Sequence, residues 1–196
     1  IAFATRHTAW DEYLHGSDQA ISNSAKAGAL VFFGKGKCAA CHSGPLFSDF
    51  EFHSLAVRQI GPGKNISSDD LGRFHVTEDK RDLYKFRTPP LRNVTLSAPY
   101  FHDGVAATLQ ATIRHHNDPL NLAGADYGNG THSWNLGKRN SVSYILAAGL
   151  NLSGVEVDQL IAFLETLEDD LSEYMPDIVP TRVPSGLPVA AMFNRE

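Results

Sequence analysis

The chain has 196 residues, 42% hydrophobic and 20% charged, the make-up of an ordinary soluble protein with core enough for one domain or two small ones. A net charge of -5 excludes the basic field that a nucleic-acid-binding surface needs. No apolar run approaches the ~20 residues of a membrane-spanning helix.

In chain order, residues 1–18 read as the tail of a helix, Ile1 to Tyr13, running into a polar turn at His15-Gly16-Ser17-Asp18. The opening Ile1-Ala2-Phe3-Ala4-Thr5-Arg6 has no initiator methionine and no charged-then-apolar leader. A processed product or a piece of something longer is therefore expected. Ser22 or Ser24 can cap a helix over about 25–33, which ends in Leu30-Val31-Phe32-Phe33 and stops at Gly34-Lys35-Gly36.

Next comes Cys38-Ala39-Ala40-Cys41-His42. Two thiols three positions apart, followed at once by an imidazole, are the attachment signature of c-type haem. The cysteines reach the two vinyl groups of one porphyrin, and His42 is delivered beneath the iron as proximal ligand. Two other chemistries compete for the pair. A thioredoxin-like couple needs a βαβ setting that is not visible and has no use for His42. A zinc site needs two further organised ligands, and there is no second cysteine pair. Covalent haem attachment implies maturation outside the cytoplasm, so a periplasmic location is expected.

From Ser43 to Arg92 the chain reads mostly as loop, with turn signals at Gly44-Pro45, Gly61-Pro62-Gly63 and Ser67-Ser68-Asp69-Asp70. Phe47, Phe50, Phe52, Leu55, Val57, Phe74, Tyr84 and Phe86 recur through it, as expected of loops that cover a haem face. Pro89-Pro90 opens an extended segment reaching Pro99. Thr108 is placed to cap a helix running to His116, before Asn117-Asp118-Pro119. On that helix Leu109, Ile113 and His116 share a face, whereas His115 is rotated away by about 100°. Residues 121–140 read as loop, and 144–150 as a short helix. Ser153-Gly154-Val155-Glu156 is a capping box opening an amphipathic helix to Leu167. The stretch 176–188, rich in proline, reads as an extended strap.

The segments Gly34–Phe47, Asp70–Phe74, Phe86–Val94, Ala98–Gly104 and Val183–Pro188, in this order, resemble the C-terminal haem domain of bacterial di-haem cytochrome c peroxidases and MauG-like enzymes. The resemblance implies a mainly α, cytochrome c-like haem domain with long irregular haem-covering loops. It also implies a domain plan: 1–18 as the connection from a missing N-terminal haem domain, 19–175 as the haem domain, and 176–196 as an extended C-terminal strap. Enzymes of this kind carry two CxxCH motifs, and this chain has one. The half that looks absent would bear the peroxidatic haem and the tryptophan that relays electrons between the haems.

In the family the distal ligand of this haem is a methionine or, in MauG, a tyrosine, and the matching position here is His116. The alternative is a buried, hydrogen-bonded His116 with the sixth site open or filled otherwise. Met175 and Met192, the only methionines, match no ligand position. An imidazole in place of a thioether favours ferric iron and lowers the reduction potential. A low-spin, six-coordinate spectrum without the far-red thioether–iron band is expected.

Arg73, Arg87 and Arg92 are candidates to neutralise the haem propionates, with Arg87 and Arg92 favoured. His102 is a candidate hydrogen-bonding partner near the haem, or else a turn residue packed beside Tyr100. The resemblance further implies a calcium ion (Ca2+) held partly by the carbonyls of Ser97 and Pro99; Asp69-Asp70 and Asp126 are rival acidic sites lacking the spacing of an EF-hand loop. The expected function is electron transfer within a di-haem peroxidase or MauG-like oxidoreductase, to or from a peroxide-activating haem in the N-terminal half. The expected partners are that half, hydrogen peroxide, and a small redox protein donor or a protein substrate. The competing reading is a stand-alone mono-haem c electron carrier.

Overall fold

A computed structural model describes residues 8–59, 69–120, 142–169 and 184–185. These residues are mostly helical or irregular with little sheet. Among the described residues the α-helices are α1 Ala9–Leu14, α2 Asn23–Phe33, α3 Phe74–Thr77, α4 Leu109–Asn117 and α5 Gly154–Glu165. A two-stranded antiparallel pair joins β1, Phe52–His53, to β2, Phe86–Arg87, placing Phe52 opposite Arg87 and His53 opposite Phe86. The strand pair is an addition to the loop expected over 43–92, since two residues are too few for an alternating pattern to be read.

Each longer helix begins where a hydroxyl can take an orphan backbone N–H. Ser22 accepts from Ala25, so α2 starts two residues before the expected position. Thr108 accepts from Ala111 at the head of α4. Ser153 and Glu156 form both halves of the capping box on α5. The expected helix at 144–150 is a single turn instead. Leu146 and Ala147 N–H groups both return to the Ser143 carbonyl, and Gly149, at φ +72°, turns the chain out. The calls on residues 1–7, 121–140 and 176–183, and on Met175, Met192 and Asp126, lie outside the described residues.

The core is built where α2 crosses α5. Phe32, Phe163, Leu160 and Leu167 are almost fully buried there, with Trp10, Ile21, Val157 and Leu164 around them. Trp10 meets Phe163 edge to face at 5.0 Å. The crossing is close because Gly28 faces the backbone of Gln159 with no Cβ between them. Three ties then set the rest of the chain around α5. The Trp10 N–H donates to Thr166, the Asn93 N–H donates to Leu167, and Asn117 pairs with both backbone groups of Leu152. Together they close a cavity between α4, α5 and the loop segments 53–59 and 84–102.

Candidate haem site

Lys37, at φ +52°, turns the chain out of α2 into a 3-10 turn, Cys38–Ala40. Such a turn repeats every three residues, so it sets Cys38 and Cys41 on one side. The His42 N–H closes onto the Cys38 carbonyl at 2.8 Å. Cys38, Cys41 and His42 all line a cavity of about 420 Å³. That volume lies within the range of pockets that enclose a small-molecule or cofactor ligand. Its walls are mainly apolar, among them Phe32, Leu55, Val57, Leu91, Ile113 and Leu160.

His116 reaches the same cavity from α4, with Leu109, Thr112 and Ile113 beside it. The two imidazoles are held alike. Nδ1 of His42 donates to the Phe47 carbonyl at 3.0 Å, and Nδ1 of His116 donates to the Thr112 carbonyl at 2.8 Å. A neutral ring that donates through Nδ1 carries its lone pair on Nε2, the atom that binds a metal. Burial pushes His42 down to about 4, with His116 adding to the effect and the Phe47 carbonyl opposing it. Burial likewise lowers His116. Both rings are therefore neutral near pH 7.

Burial pushes the Cys38 thiol up to about 12, and burial with the nearby Asp49 charge pushes Cys41 up to about 11. Neither is the stabilised thiolate of a redox-active cysteine pair. A haem c fits this donor set: two thiols on one side of a turn and two neutral imidazoles facing one mainly apolar cavity.

The remaining candidates separate. Arg87 lines the cavity, is exposed, and lies over the Phe50 ring at 4.9 Å. Arg92 is elsewhere. Its two terminal nitrogens each meet an Asp11 oxygen at 2.7 Å, and its Nε donates to the Pro45 carbonyl. With the side chain only 9% exposed, a propionate would have to displace Asp11 to reach it. Arg92 forms a clamp between α1 and the loop at 45. Arg73 pairs with Asp82 and covers Phe52, away from the cavity.

His102, in a turn, lines the cavity and stacks on Phe86 at 3.7 Å. Ser97 and Pro99 lie on the wall, where the Ser97 hydroxyl donates to Val94. Asp70 accepts from the Gly72 N–H. Sequence reasoning passed over His53, which lines the cavity and bonds Asp49 at 2.8 Å. Cys41, Asp49 and His53 bring sulfur, oxygen and nitrogen within 4.8 Å of one another, but Cys41 ties that trio to the same site. Only the spacing of Asp49 and His53, four apart in a loop, hinted at the pair. Among the described residues no helix is long and apolar enough to cross a membrane.

No protein-family model matches the chain. It is 31% identical over 195 residues to the cytochrome-c peroxidase IdrP2 of Denitromonas iodatirespirans, covering 87% of this chain and 47% of that protein. It is 33% identical over 161 residues to the methylamine utilization protein MauG of Methylorubrum extorquens, covering 81% and 38%. Among solved structures, a MauG-like protein associated with microbial copper homeostasis superposes with a TM-score of 0.69 at 30% identity, over 83% of this chain and 52% of that one. The chain thus spans less than half the length of these two curated relatives.

Proposed function

We propose, from its likeness to bacterial cytochrome-c peroxidases and MauG proteins, that the chain is the C-terminal, electron-relaying haem domain of a di-haem oxidoreductase of that kind. In this reading Cys38 and Cys41 carry one haem c, His42 is its proximal ligand and His116 its distal one. The observation that carries it is the meeting of His42 and His116 in one apolar cavity, each with Nδ1 tied to a carbonyl and Nε2 left with the lone pair.

When bound, the haem supplies a one-electron iron couple. The protein's own groups set the conditions for it. The Phe47 and Thr112 carbonyls fix the two rings, so little reorganisation accompanies a change of charge at the site. Leu55, Val57, Leu91 and Leu160 keep water out. Arg87 offers a cationic side chain to the propionates on the wall beside Thr88 and Pro89. The Ser97 and Pro99 carbonyls are offered to a calcium ion shared with the other half. That half would bear the second haem and meet hydrogen peroxide, and the electrons would come from a small redox protein or a protein substrate in the periplasm.

The test is spectroscopic and stoichiometric. The ferric protein is expected to be low-spin, without the far-red thioether–iron band, and His116→Ala is expected to turn it high-spin. An unchanged spectrum in that variant would remove His116 from the iron. Native mass and haem count of the isolated protein complete the test. Two haems with peroxide-dependent oxidation of a reduced cytochrome support the enzyme, whereas one haem without turnover supports the mono-haem carrier.

A further inference from the structure

His115 stands next to His116 in sequence but has no place on the cavity wall. It is 1% exposed, among the most deeply buried side chains described. Its Nε2 donates to the carbonyl of Leu55 at 2.7 Å, across 60 positions of sequence. Leu55 belongs to the loop at 53–59 and itself lines the cavity. One hydrogen bond thus pins that loop to the helix that carries His116.

A third element meets the same ring. Phe101 packs edge to face on His115 at 5.0 Å and stacks nearly parallel on His116 at 5.9 Å, with 20° between the planes. Phe101 sits at φ +67°, a left-handed conformation that a bulky residue holds only where its surroundings fix it. The rings of His115 and His116 stand at 89° to each other, 6.3 Å apart. His116 therefore has two restraints on its plane. One is its own Nδ1 bond to Thr112 within the helix. The other is the face of Phe101, which also packs on His115.

Burial in such a place costs an imidazole its hydration, and a structural role would be filled at less cost by an apolar residue of similar size. What an apolar residue does not supply is a donor to Leu55. We propose that His115 is a positioning residue for the distal histidine: by anchoring Leu55 and bracing Phe101 it sets the plane of the His116 ring and the depth of the wall facing it. The proposal rests on His116 being the distal ligand.

The experiment compares three variants of the haem-loaded protein by ferric electron paramagnetic resonance and redox titration. His115→Phe fills the space and removes the donor. It is expected to convert most of the low-spin signal into high-spin or into a second low-spin species, and to shift the midpoint potential, with far-UV circular dichroism unchanged. His115→Gln, which can present an amide N–H to Leu55 at about the same reach, is expected to restore much of the wild-type signal. His116→Ala is the control for the underlying reading. If His116→Ala changes the spectrum while His115→Phe folds and keeps the wild-type signal and potential, the positioning role is overturned and the ligand assignment stands. If His116→Ala changes nothing, the ligand assignment itself fails, and the positioning role falls with it.

Discussion

Arg92 shows at the scale of one residue how placement redirects chemistry. Its forked guanidinium matches the Asp11 carboxylate with two bonds, the geometry that makes arginine pairs specific. Burial pushes the Asp11 carboxyl up, but the bonds from Arg92 and Thr8 outweigh it and hold the group below its usual value of 3.8. A carboxyl lowered on folding adds stability above its unfolded value and loses it as pH falls through the folded one. Asp11→Asn is expected to cost about 2 kcal/mol at neutral pH, the scale of a charge-assisted bond. The gap between wild type and variant is expected to close below pH 4, as thermal melts from pH 2.5 to 7 would show. The clamp was illegible in the sequence because its partners stand 81 positions apart, and an isolated arginine near a haem motif invites a propionate role. The direction of His116 was legible, because three side chains at a helical spacing suffice to fix a face.

Elements came through the sequence in proportion to their local chemistry. The starts of α4 and α5 were readable in Thr108 and Ser153, since a cap acts within three residues of itself. The β1–β2 pair and the turn at 143–149 were not, because long-range pairing and a left-handed Gly149 decided them. Two substitutions separate these influences. Ser153→Ala removes one side of the capping box and is expected to cost about 1 kcal/mol, or roughly 2–4 °C in Tm. Gly28→Ala raises helix propensity, which by itself would stabilise α2 by up to about 1 kcal/mol. Its Cβ would nevertheless collide with the carbonyl of Gln159 in α5, and backbone does not step aside. The packing term is expected to win, with a net loss of about 1–3 kcal/mol and a lower urea midpoint. A stabilised Gly28→Ala protein would show that the two helices are not held this close.

At the scale of the whole molecule, the cavity is assembled from pieces far apart in sequence: the end of α2, the haem motif, the loop at 53–59, the segment 84–102, α4 and α5. No local pattern announces such a wall, and only the motif and the His116 face pointed toward it. Replacing both thiols, Cys38→Ser with Cys41→Ser, is expected to leave the haem extractable by acid acetone and to lower Tm well beyond the effect of Ser153→Ala. Haem that stays with the protein after that extraction would deny the thioether links.

The Asp11–Arg92 clamp has a mechanical side. Thr8 and α1 are fastened at two points, by Arg92 to the segment that continues from Leu91, and by Trp10 to the last turn of α5. Leu91 is part of the cavity wall, and α5 is its floor. Two separate struts thus tie this short helix to two walls of the chamber.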